Sequence, residues 1–164
     1  MIIREMKKED IDDSIELSRT VREKTWEKYE KGVCPRKLLD EELQLYSYDT
    51  FLRFIGDENR YGFVAEDKGR IVGLAIGRFD QGGISDLSWI CTALEEQGKG
   101  IGKELINKVA NYSKEMGCHK LFAYTTPNLV TAVNLYLSTG FVQEAYLRKH
   151  WHKLDFLIMS KLLE

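Results

Sequence analysis

The chain is poor in cysteine, in proline and in uninterrupted apolar sequence. Its 164 residues include three cysteines, Cys34, Cys91 and Cys118, an odd number with no CxxC pair. That spacing argues against a disulfide framework or a cysteine zinc site, so no metal is expected, and it fits small buried thiols in a reducing compartment. Only two prolines occur, and no repeat or low-complexity tract divides the sequence. Without a linker signal, residues 1–164 read as a single domain. No apolar run approaches the roughly 20 residues that span a bilayer. A formal net charge of -2 gives no general attraction to nucleic acid or an anionic membrane, so neither is expected as a partner. In the opening MIIREMKKEDIDD, charges begin too early for a leader's apolar core, and a cytoplasmic location is expected.

What is present is a readable alternation of strand and helix. MIIREM opens as a strand, and residues 7–32 are rich in helix formers with an approximate stripe of Ile11, Ile15, Val21 and Trp26. Pro35 breaks that run and suits the first turn of a new helix. Residues 36–57 then read as one helix or two short ones. Two β-rich runs around Asp67-Lys68-Gly69 predict a hairpin, and ISDLSWICT predicts a further strand. Ile101, Leu105, Val109, Tyr112 and Met116 follow helical spacing, with Gly117 as the C-terminal stop. HKLFAYTT is a strand, LVTAVNLYLSTG a helix closed by Gly140, and residues 141–163 two final strands. The order β-α-α-β-β-β-α-β-α-β-β describes an α+β fold with α/β character. It implies a mixed, mostly antiparallel sheet of six to seven strands with about four helices.

Three glycines in five residues, Gly98, Gly100 and Gly102, precede the strongest helix. Glycine weakens any regular element, so bare backbone is needed there for another reason. A P-loop is excluded, because Gly102-Lys103 is followed by Glu104 and position 97 is Gln. The dinucleotide fingerprint GxGxxG is absent too, since the run is GxGxG. What fits is a strand entering a glycine loop that opens a helix. The helix's first amides lack intrahelical acceptors and carry the positive end of its dipole, so a diphosphate can approach them.

Gln97-Gly98-Lys99-Gly100-Ile101-Gly102 matches Q/R-x-x-G-x-G/A, and Ala132 to Phe141 matches A-x-x-L-Y-x-x-x-G-F. These two motifs, in this order with a strand between them, resemble the coenzyme A loop and second signature of the GNAT N-acetyltransferase superfamily. Together they span residues 97–141, and the element order extends the resemblance over nearly the whole chain. The resemblance implies transfer of an acetyl group from acetyl-CoA to a primary amine by direct attack in a ternary complex. Its acceptor is a small molecule or peptide, and a homodimer is compatible with it. The chain departs from the family pattern twice. Thr92-Ala93-Leu94-Glu95 lacks the proline of V-x-P-E, which leaves backbone-mediated binding intact. Leu129 stands where an Asn is common, and Asn128, one step away, is the candidate for a polar contact to the pantetheine arm.

The chemistry assigns roles. An aliphatic amine with a pKa of about 10.4 must lose a proton before attack. The thioester oxygen needs a hydrogen-bond donor as it becomes an oxyanion, and the departing thiolate needs a proton. By resemblance Tyr136 is the general acid, though it also reads as a core aromatic. Backbone around Ile90, Cys91 and Thr92 would hold the pantetheine arm and polarise the carbonyl. Gln97, Gly98, Lys99, Gly100, Ile101, Gly102 and Lys103 form the diphosphate loop. Asp86 is the candidate base, acting directly, through a water, or as a binder of a cationic acceptor, with Glu66 as a competitor. Simple strand alternation puts Asp86, Ser88, Ile90 and Thr92 on one face. The Arg148–Lys153 basic run reads as the turn between the last strands, and the helices of residues 8–57 as a wall of the acceptor cleft, with Tyr29, Tyr46, Tyr48 and Phe51 available to it. Two alternatives stay open from sequence: a coenzyme-binding regulatory module of the same fold without transfer activity, and a nucleic-acid-binding domain.

Overall fold

The computed structural model describes residues 1–164. Seven strands form one sheet: β1 (Ile2–Glu5), β2 (Arg60–Asp67), β3 (Arg70–Asp80), β4 (Ile84–Thr92), β5 (Lys120–Thr125), β6 (Val142–Trp151) and β7 (Leu154–Leu162). Their order across the sheet is β1-β2-β3-β4-β5-β7-β6, and every pair is antiparallel except β4 with β5. Five helices cover it: α1 (Ile11–Thr25), α2 (Arg36–Gln44), α3 (Tyr48–Leu52), α4 (Ile101–Glu115) and α5 (Val130–Ser138). The expected mixed sheet is therefore present with seven strands. The count of about four helices becomes five because residues 36–57 divide. Ser47 accepts a hydrogen bond from the Thr50 amide through its hydroxyl and starts α3 as a separate helix.

Alternation in β2 explains the layering. Tyr61, Phe63 and Ala65 face a cluster with Leu105, Ile106 and Val109 of α4, whereas Val64 faces Ile11 and Val21 of α1 and Phe51 of α3. Tyr136 of α5 and Phe141 belong to the α4 layer. The stripe on α4 is the one its sequence spacing requires, with Ile101, Leu105 and Val109 buried and Gly117 at φ 84 past its end. Helix α1 runs on into a single π-helical turn, Trp26–Glu30, which sequence spacing alone did not separate from the helix.

One irregularity shapes the middle of the sheet. Asp86 pairs with Arg78, and Trp89 pairs with Ile76. Three steps along β4 therefore oppose two along β3, so β4 carries a bulge at Leu87–Ser88 opposite Gly77. An extra residue reverses side-chain parity beyond it. This corrects the simple alternation expected from sequence. Ile90 packs with the α4 layer and Trp89 and Cys91 with the α1 layer, while Ser85, next to Asp86, bonds to Ser113 of α4. Asp86 and Ile90 thus do not share one face. Parallel pairing of β4 with β5 also ends at Asp86, opposite Phe122. Past that pair the two strands separate.

Candidate active site

The separation of β4 from β5 leaves a strand edge without a neighbour between residues 87 and 92, and two cavities flank it. The first, 570 Å³, is lined by Ile90, Cys91, Thr92, Gln97, Gly98, Gly100, Ile101, Gly102, Lys103 and Tyr136, among others. The second, 500 Å³, is lined by Leu87, Ser88, Trp89, Ile90, Thr125, Tyr136 and aromatic groups of the β6–β7 hairpin. Both include Trp89, Ile90, Ala132 and Tyr136 in their walls. The opening is a consequence of topology: two strands joined for three residue pairs and then bent apart by a bulge.

The glycine loop presents its backbone to the first cavity. None of the six amides from Gly98 to Lys103 donates to a backbone carbonyl; the first helical bond is from Glu104 to Gly100. Gly98 and Gly100 have φ of 80 and 87, a left-handed conformation that L side chains rarely adopt. A run of unpaired amides at the positive end of α4 is suited to an anionic oxygen cluster. Lys103 lines this cavity, while Lys99 lies outside the lining and pairs with Glu96 at 2.8 Å. Gln97 donates its side-chain amide to the Thr92 carbonyl at 3.3 Å, tying the loop to the end of β4. Asn128 lies outside both linings, and Leu129 belongs to both.

Tyr136 is buried, its ring 5.1 Å from that of Phe141. Its hydroxyl has no hydrogen-bond partner in the protein. Burial pushes the phenol above its ordinary range, so it keeps its proton at neutral pH. Tyr136 thus lines both cavities as a neutral phenol.

Asp86 is buried beside the second cavity without lining it. Burial raises its carboxyl above the ordinary range, against the opposing pull of Arg78 at 3.4 Å and of the Ser88 hydroxyl. Ser88 donates to the carboxylate at 3.2 Å and does line the cavity. A buried chain holds this corner: Ser113 donates to Ser85, Ser85 to the Tyr61 hydroxyl, and Tyr61 to the Asp86 backbone carbonyl at 3.0 Å. Glu66 is engaged with Arg4 at 2.8 Å on the β1–β2 side of the sheet and lines neither cavity.

Several lining groups had no sequence signal. Arg22 of α1, Glu30 of the π-turn and Glu42 of α2 meet in one buried ion cluster on the wall of the second cavity. Of the aromatic residues considered from sequence, Tyr29 lines the first cavity, Tyr46 packs on Trp89, Phe51 is core and Tyr48 is exposed. His152 and Lys153, at φ 46 and 64, form the turn between β6 and β7, and His150 and Trp151 lean over the second cavity. No helix is long and apolar enough to cross a membrane.

Comparison with known proteins gives the arrangement its family. Residues 19–141 match the model of the Acetyltransferase (GNAT) family. The fold is similar to that of PaiA N-acetyltransferase from Thermoplasma acidophilum, a structure in complex with coenzyme A. That likeness has TM-score 0.80 at 19% identity and covers 98% of each chain. The smu.2055 protein of Streptococcus mutans is similar with TM-score 0.80 at 29% identity over 100% of both chains. A spermidine N(1)-acetyltransferase of Vibrio cholerae is 39% identical over 59 residues, 35% of this chain and 34% of that protein. That match spans about a third of the relative's length. With the glycine loop, the parted strands and the family match in agreement, the chain belongs to the GNAT acetyltransferase family.

Proposed function

We propose that the protein transfers an acetyl group from acetyl-CoA to a primary amine by direct attack within a ternary complex. The observation that carries this reading is the meeting of two cavities at Ile90 and Tyr136. One is bordered by the unpaired amides and the other by polar and aromatic side chains. A donor and an acceptor held on opposite sides of one junction need no covalent enzyme intermediate.

The residues present fit coenzyme A. Amides 98–103 would receive its diphosphate, with Lys103 beside them, and the free edge of β4 from Ile90 to Thr92 would take the pantetheine arm as an added strand. Bound there, acetyl-CoA supplies the activated acyl group. A β4 amide at the bulge-separated edge would stabilise the carbonyl oxygen as negative charge develops. The amine's proton would pass by way of Ser88, or a water beside it, to Asp86. As the new C–N bond forms and the C–S bond breaks, Tyr136 would give its proton to the departing sulfur.

The test is thiol release from acetyl-CoA with a panel of amines, coupled to mass detection of the acetylated product. Amine-dependent release, matched mole for mole by N-acetyl product, is expected. Folded protein that binds coenzyme A yet releases no thiol with any amine would show a binding module instead.

A further inference from the structure

Charge on the wall of the second cavity is unbalanced. Its only Asp, Glu, Lys or Arg side chains are Arg22, Glu30 and Glu42, one positive and two negative, a formal charge of -1. Arg22 offers nothing to an anion. Nε donates to Glu42 at 2.8 Å, Nη2 donates to Glu30 at 2.7 Å and to Glu42 at 2.9 Å, and Nη1 is sealed within the protein. The carboxylates are less fully used. Glu30 accepts from Arg22 through Oε2 alone, and Oε1 receives no hydrogen bond from the protein. That oxygen is not among the sealed partnerless atoms, which are Ser14 Oγ, Arg22 Nη1 and Thr126 Oγ1, so it keeps accessible surface. Glu30 is otherwise buried, at 5% exposure, and it lines the cavity. A carboxylate held there with one open, unpaired oxygen calls for a donor. Glu42 adds a side chain 22% exposed on the same wall.

The rest of the wall favours the same kind of group. Trp89, Tyr124, Trp151 and Phe156 line the cavity, with the Tyr124 and Trp151 rings 6.4 and 6.5 Å from that of Phe156. Aromatic faces attract cations, as an excess of carboxylate does, and both repel anions. The rings also suit an apolar carbon chain. Yet the amine that attacks the thioester must first shed its own charge. A cation held at Glu30 therefore belongs to a second group of the acceptor.

We infer that Glu30 and Glu42 determine acceptor specificity by receiving a second cationic group, carried by the acceptor on an apolar chain away from its reacting amine. This rests on the acyl-transfer reading above. It makes the preferred acceptor a compound with at least two basic groups, and the poorest an amine that bears a carboxylate. Arg22 is a positioning residue here: its forked bonds fix the two carboxylates on the wall without cancelling their charge.

The experiment compares kcat/KM for four tails on matched propane, butane and hexane chains: the alkylamine, the amino alcohol, the amino carboxylate and the diamine. Wild type, Glu30→Gln and Glu42→Gln are each measured. Glu30→Gln keeps an oxygen for Arg22 Nη2, and both bonds from Arg22 to Glu42 persist, so the fold tolerates it. Glu42→Gln leaves the bond from Arg22 to Glu30. Wild type is expected to prefer the diamine over its alkylamine by about tenfold or more on at least one chain length, and to disfavour the amino carboxylate by a similar factor. Either variant makes the cluster formally neutral. Both ratios then move towards one, chiefly through KM, while the ratio of amino alcohol to alkylamine holds. A purely structural role for the two glutamates would slow all amines in proportion and leave every ratio intact, which overturns the inference. Preference for the alkylamine or the amino carboxylate in wild type overturns it without any variant. Transfer to all amines at equal rates overturns this inference alone, whereas no transfer to any amine overturns the acyl-transfer reading with it.

Discussion

Ser88 donates its hydroxyl to the Asp86 carboxylate at 3.2 Å, from a bulge position that also lines the proposed acceptor cavity. The serine therefore bridges a buried carboxylate and the space where an amine would stand. Because burial raises the Asp86 carboxyl, it is a better proton acceptor near neutrality than a solvated aspartate. We expect the acid limb of kcat/KM to lie above the ordinary carboxylate range of about 3.9. Asp86→Asn should remove that limb and lower kcat/KM at pH 7 by about tenfold or more. The stability effect has the opposite sign. A carboxyl whose folded pKa is raised favours folding in its protonated form, and that contribution is lost as the pH climbs past the raised value. Asp86→Asn should therefore be at least as stable as wild type at neutral pH by thermal unfolding. An unchanged pH profile in the variant would remove Asp86 from proton transfer.

Tyr136→Phe isolates the proposed acid. The hydroxyl has no protein partner, so its loss leaves no orphan and the Phe141 contact persists. We expect kcat to fall about tenfold or more with coenzyme A affinity unchanged, measured where chemistry limits the rate. Equal kcat values under those conditions would contradict the assignment.

Gly77 tests the bulge. A Cβ there would lie 2.2 Å from both the Asp86 carbonyl oxygen and the Tyr61 hydroxyl. These are the two atoms whose hydrogen bond pins β4 just before the strands part. Neither has room to yield within the sheet, so Gly77→Ala should cost about 3 kcal/mol, at the upper end for overpacking a core. Denaturant unfolding measures this, and a loss below about 1 kcal/mol would show the corner to be pliable.

The glycine loop makes a different demand. At Gly100 a Cβ meets nothing within 4 Å, so the obstacle to a side chain is the backbone angle of φ 87 and not space. Gly100→Ala should cost about 1–2 kcal/mol of conformational strain, or turn the amides out of line. The free loop relaxes away from the strained angle and coenzyme A must restore it, so binding should weaken by about tenfold, while the core-dependent unfolding cooperativity is retained.

Much of this was legible in the sequence because the signals are local. The α4 stripe, the Asp67-Lys68-Gly69 hairpin and the Gly98–Gly102 run depend on neighbours within a few residues, and the motif around Tyr136 is contiguous. The bulge at Leu87–Ser88 was not legible, since it is defined only by which residues of β3 oppose it; parity reasoning consequently put Asp86 on the wrong face relative to Ile90. Nor was the Arg22–Glu30–Glu42 cluster, whose members join α1, a π-turn and α2 across up to twenty positions of sequence. The division of residues 36–57 turned on a single hydroxyl, that of Ser47, bonding to one amide. Long-range pairing and single capping bonds leave little periodic trace.

The most direct measurement is calorimetric titration of coenzyme A into folded protein, alongside the diphosphate-free fragment pantetheine. Amides 98–103 as the main anchor predict saturable heat with coenzyme A, at least about tenfold weaker binding in Gly100→Ala, and much weaker binding of pantetheine. No heat from coenzyme A, or equal affinity for pantetheine, would contradict the account.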